Sequence, residues 1–126
     1  MNDEDPHAPV AVQAEALYLI NLLLLPGLAF AALLWLAHRN RRTSSELARC
    51  HLKQTVVASL WAGALLMAVT ASILLLGGLR DPDTWVLLIL YFTCCHSALA
   101  LLGIVGLSRA MAGKPYIYPL IGSNQW

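Results

Sequence analysis

Three long apolar runs alternate with short polar segments along this chain. Residues 16–37, 55–79 and 85–107 contain no Asp, Glu, Lys or Arg. A helix crosses the roughly 30 Å hydrocarbon core of a bilayer in about 20 residues, and each run reaches that length. The pattern predicts an all-α integral membrane protein with three transmembrane helices. Pro26-Gly27, near the middle of the first run, predicts a kink, because proline removes a donor and frees a carbonyl. Asn21, about one turn earlier, is the polar side chain placed to contact that freed backbone.

Local signals set the ends of the other two helices. Thr43-Ser44-Ser45-Glu46 fits a capping box with Thr43 as the cap, so the second helix begins before its apolar run. It is expected from about Ser44 to Leu76, extended on the cytoplasmic side, with Gly77-Gly78 as its stop. Asp81-Pro82 opens the third helix, with Asp83 or Thr84 as its expected cap, and Gly113 with Pro115 ends it near Ala112. A turn as short as 79–84 forces spans two and three into an antiparallel hairpin. The chain thus divides into an acidic mobile tail, residues 1–11, a three-helix membrane domain, 12–112, and an interfacial aromatic tail, 113–126.

Composition agrees. The 126 residues are 59% hydrophobic and 12% charged, where a soluble domain carries about a quarter charged residues. Asp3, Glu4 and Asp5 precede the first run without a cation, unlike an export signal. Arg39, Arg41, Arg42, Arg49 and Lys53 lie between the first two runs, with Arg109 and Lys114 after the third. The opposite side holds Arg80 alone, together with Asp3, Glu4, Asp5, Glu15, Asp81 and Asp83. Short loops rich in Arg and Lys stay cytoplasmic, which predicts the N-terminus outside and the C-terminus inside. The run Arg39–Arg42 suits anionic lipid headgroups, and no feature calls for nucleic acid. Cys50, Cys94 and Cys95 form no disulfide framework, since adjacent cysteines on one helix point apart.

Few side chains carry chemistry. No Ser-His-Asp set, phosphate loop or facing carboxylate pair can be found, so no catalytic, metal or cofactor site is expected. His96 is the one ionisable group near the bilayer midplane. A neutral imidazole needs only one or two local hydrogen bonds, to a carbonyl or to Asn21, and a structural role is expected. Small residues at Gly27 and Ala31, at Ala64, Ala68 and Ser72, and at Gly103 predict helix-packing faces. His51, Lys53, Gln54, Tyr116 and Tyr118 share one depth at the inner surface and form a candidate docking patch for a partner.

Two segments, ELARCHLKQ at Glu46–Gln54 and GLSRAMAGKPYIYPL at Gly106–Leu120, resemble elements of the bacterial Tic-twenty-like family. Those small membrane proteins are related to a component of the chloroplast import machinery and include magnetosome-membrane proteins. The resemblance implies marked positions at His51, Lys53, Gln54, Gly113, Tyr118 and Pro119. It also implies a non-enzymatic helper in a bacterial inner membrane. The expected function is an accessory, assembly or scaffolding subunit that binds other integral membrane subunits. An oligomeric transport or protein-translocation component is the alternative. A haem- or quinone-linked electron-transfer subunit, resting on His38, His51 and His96, is the third.

Overall fold

The computed structural model describes residues 6–119, all of them helix, turn or irregular segment. Helix α1 covers Ala8–Leu23, α2 Leu28–Arg39, α3 Glu46–Gly77 and α4 Pro82–Met111. Helices α3 and α4 are long and apolar enough to cross a membrane. Only 6% and 11% of their most apolar windows are buried within the chain, unlike the core helices of a soluble domain.

The first apolar run does not form one helix long enough for the expected third span. It is divided between α1, 16 residues long, and α2, 12 residues long. At 1.5 Å per residue these reach about 24 and 18 Å, short of a bilayer core. The expected kink is a complete reversal. Gly27 adopts φ +89°, a left-handed conformation that costs glycine little, and its N–H donates to Asn21 Oδ1 at 2.9 Å. Asn21 therefore satisfies the amide of the turn rather than a freed carbonyl. Folded back, Ala14 and Leu17 of α1 pack with Leu33 and Leu36 of α2. The tip leaves Leu23, Leu24, Leu25 and Leu28 exposed.

The reversal changes which end of the molecule the N-terminal helix starts from. Glu15 meets His51, and Tyr18 packs with Ala58, so α1 runs alongside α3 in the same direction. Against α4 it runs the opposite way, Glu15 lying at Gly106 and Tyr18 at Gly103. One end, the base, thus gathers the start of α1, the end of α2, the start of α3 and the end of α4. Glu15 is at the base with the cations, not across from them as expected. At the far end, among the described residues, Asp81 and Asp83 accompany Arg80. Residues 8–11, expected as tail, are the first turn of α1, and Pro9 sits where a helix tolerates it. Asp3, Glu4 and Asp5 lie outside the described residues.

Helix α3 is capped by Ser45 rather than Thr43. Ser45 Oγ accepts from the Ala48 N–H at 3.1 Å, while Thr43 Oγ1 accepts from the Ser45 N–H at 3.2 Å. Midway, Ala64–Ala68 widens into a π-turn, and the Tyr91 hydroxyl of α4 donates to the Leu65 carbonyl there at 2.5 Å. The α3–α4 hairpin follows its Gly-Gly and Asp-Pro signals, with Asp81 rather than Asp83 or Thr84 as the cap of α4. Gly78 takes φ +80°, Asp81 Oδ1 accepts from the Asp83 N–H at 3.0 Å, and Trp85 Nε1 donates to the Leu79 carbonyl at 2.8 Å. The core sits toward the base, around Tyr18, Ala58, Ala62, Leu99 and Tyr118.

Candidate functional site

Helix α1 turns Ala11, Ala14, Glu15 and Tyr18 inward, a spacing that puts them on one helical face. The carboxylate of Glu15 is consequently in the core, with 0% exposure. A buried charge is costly unless paired and hydrogen-bonded, and two side chains answer it. His51 Nδ1 lies 2.5 Å from Glu15 Oε1, and the Tyr118 hydroxyl donates to Glu15 Oε2. The second imidazole nitrogen, Nε2, is 2.9 Å from the carbonyl of Lys114. A carbonyl only accepts, so Nε2 carries a proton. One further proton then occupies the axis between Glu15 and His51, whichever of the two holds it.

This clasp fastens three parts of the chain. Beyond α4, Gly113 at φ +69° turns the chain back over the base as a strap, residues 113–118. His51 holds it at Lys114, Cys50 Sγ donates to the Tyr116 carbonyl at 3.6 Å, and the Tyr118 N–H donates to Gln54 Oε1 at 3.4 Å. Below the strap the Tyr118 ring meets Tyr18 edge-on, centroids 5.3 Å apart at 87°, and the Tyr18 hydroxyl donates to the Leu99 carbonyl. Gly106 makes room: a Cβ there would stand 2.5 Å from Glu15 Oε2 and 2.7 Å from the Tyr118 oxygen. Burial, then the neighbouring Glu15 charge, pushes the Tyr118 hydroxyl far above the ordinary tyrosine range. Tyr116 moves up for the same two reasons. Tyr118 accordingly donates in the clasp, whose three side chains are all buried.

The predicted docking residues do not form one exposed patch. His51, Gln54 and Tyr118 are interior, Tyr116 is half-buried, and Lys53 lines a separate groove between α2 and α3. Both ring nitrogens of His51 are engaged, so neither is free as an axial ligand, and His38 is exposed on α2. Of the small residues, Gly103 is buried beneath the Tyr18 ring, whereas Gly27, Ala31, Ala64, Ala68 and Ser72 face outward. His96 stacks on Phe92 at 5.5 Å, and its buried Nδ1 has no hydrogen-bond partner; Asn21 is occupied at Gly27. Among the described residues no three His, Cys, Asp or Glu side chains group as a metal site.

Sequence reasoning missed Glu15, counting it as an outer charge. Its signal was present: it stands one residue before an uncharged run, one turn from Ala11 and Tyr18.

No curated protein and no solved structure matches the chain. A family model does, the MamF/MmsF magnetosome magnetite crystal formation protein family, over residues 10–124. That match spans the hairpin, both long helices and the strap. It overturns the Tic-twenty-like assignment suggested by the two short segments. The chain belongs to the MamF/MmsF magnetosome magnetite crystal formation protein family.

Proposed function

We propose that this protein is a small, non-catalytic accessory subunit of the membrane in which magnetite forms, acting as a scaffold for other integral membrane subunits. Helices α3 and α4 span the bilayer, and the α1–α2 hairpin re-enters from the base without crossing. Such a hairpin is tolerated at membrane depth when its backbone is satisfied, as Asn21 does for Gly27. The base, with all its Arg and Lys, faces the cytoplasm.

The observation that carries this reading is the division of the molecule. The buried polar side chains at its base, Glu15, His51 and Tyr118, are spent on one another in the clasp. Its outer half is instead an open apolar surface: Leu60, Trp61, Met67 and Leu75 on α3, with Leu87, Leu90 and Phe92 on α4. Ala64, Ala68 and Ser72 open onto that surface, and small residues let a second membrane helix approach closely. Family membership supports magnetite formation as the process served.

The test is tagged protein in a magnetite-forming bacterium lacking its own copy. Wild type should resist carbonate extraction, bring membrane subunits with it in mild detergent and restore crystal size. Ala68→Leu should insert normally and lose the co-purifying subunits. Extraction by carbonate, or unchanged co-purification with Ala68→Leu, would refute the scaffold reading.

A further inference from the structure

At the base, α2 and α3 diverge and leave a groove of about 260 Å³ between the end of one and the start of the other. Its rim carries Asn40 and Arg41 from the α2 end and Arg49 and Lys53 from α3; its floor includes Leu52 and Val56. Among the described residues no carboxylate lies within ion-pair distance of Arg41, Arg49 or Lys53. Three cations and an amide thus ring an apolar floor, and no described residue lining it is acidic.

We infer that this groove binds an anionic phospholipid, the phosphate among Arg41, Arg49 and Lys53 and an acyl chain along α3. The inference rests on the membrane reading above. Three observations select this occupant. The described residues of the rim are all cationic or neutral, so a negative ligand complements them, and guanidinium forks match phosphate geometry. The volume is just below the range of small-molecule sites, roughly 300–1,000 Å³, enough for a headgroup but not a whole lipid. The remainder of the ligand must leave the groove, and the face that leads away from it is apolar. Arg49 and Lys53 are one turn apart on α3, and Val56, Leu60 and Ala64 continue that face from the half-buried Val56 to the exposed Leu60 and Ala64. A free phosphate would use the rim and leave the apolar face unused. Arg39 does not take part, because its guanidinium lies over the Trp35 ring at 5.2 Å.

The experiment uses the full chain in neutral detergent, with native mass spectrometry reading the lipid retained after adding phosphatidylglycerol or phosphatidylcholine. Wild type should retain phosphatidylglycerol preferentially. Arg41→Gln, Arg49→Gln and Lys53→Gln should each weaken retention about fivefold, the equivalent of one surface cation. Arg39→Gln, outside the groove, should retain it as wild type does. Glycerophosphate or inorganic phosphate at the same concentration should not displace the lipid; displacement would mean a phosphate site and overturn the proposal. Equal retention of both lipids, or unchanged retention in all three groove variants, would also overturn it. The scaffold reading can fail in its co-purification test while this one stands, since lipid binding needs no protein partner.

Discussion

Glu15 and His51 stand 36 positions apart in the chain and 2.5 Å apart in space. Neither side chain is exposed, and each has its other polar atom taken, by Tyr118 and by the Lys114 carbonyl. Removing one partner therefore leaves the other buried and unpaired, at a cost of about 3–5 kcal/mol. Glu15→Ala should release the strap, and Cys50 beneath it reports the release. In a Cys94→Ser, Cys95→Ser background, Cys50 should resist maleimide in the wild type. It should react about tenfold faster or more in Glu15→Ala. Equal rates would show that the carboxylate does not hold the strap.

Two glycines should respond to a single methyl group and a third should not. Gly106→Ala drives a Cβ against Glu15 and Tyr118, and Gly103→Ala drives one to 2.6 Å from the Tyr18 ring. Overpacking of this kind costs about 1–3 kcal/mol. Gly63 has nothing within 4 Å of its Cβ position, so Gly63→Ala should be neutral or gain up to about 1 kcal/mol of helix propensity. Melting temperatures of the three variants in one detergent check the ranking.

Topology separates the hairpin from a third span. With native cysteines replaced, His7→Cys and Arg80→Cys should label from opposite sides of the membrane, because α1 starts at the base. A through-running first segment would put both on the same side, and a shared labelling pattern would remove the re-entrant hairpin.

The clasp should fail in alkali. Tyr118 holds its proton in the folded protein well beyond pH 10, the ordinary tyrosine value, while the unfolded chain releases it there. Above about pH 10 the unfolded state binds fewer protons, so stability falls as pH rises. Tyr118→Phe removes that dependence along with one hydrogen bond. Its melting temperature should be lower at pH 8 and decline less between pH 9 and 11. Parallel declines in both proteins would assign the alkaline loss to other groups.

Much of the architecture was legible because local rules decided it. Gly77-Gly78, Asp81-Pro82 and Gly113 each act through their own backbone, and the α3–α4 hairpin follows from them. The α1–α2 reversal was not legible in the same way. Pro26-Gly27 permits either a kink or a turn, and the choice rests on the hydrogen bond from Gly27 to Asn21 and on packing of Leu33 beneath α1. Once the reversal was read as a kink, Glu15 was assigned to the wrong end and its meeting with His51 was invisible. The π-turn at Ala64–Ala68 has no sequence marker beyond the preceding Gly63; Tyr91, from another helix, supports it. His51, Gln54 and Tyr118 were found by shared depth, but depth does not distinguish a surface from a seam.

The hairpin of α1 and α2 also bears on how the protein enters its bilayer. In the proposed topology both ends of that hairpin stay on the side of synthesis, so neither of its helices has to be translocated. Only the turn between α3 and α4 makes the passage, with Arg80, Asp81 and Asp83 as its charges. Each such charge raises the barrier by about 2.5–3.5 kcal/mol at the bilayer centre. A first segment that crossed would add the chain ahead of it to that load, the carboxylate of Glu15 included. Folding back confines the translocation work to one short turn.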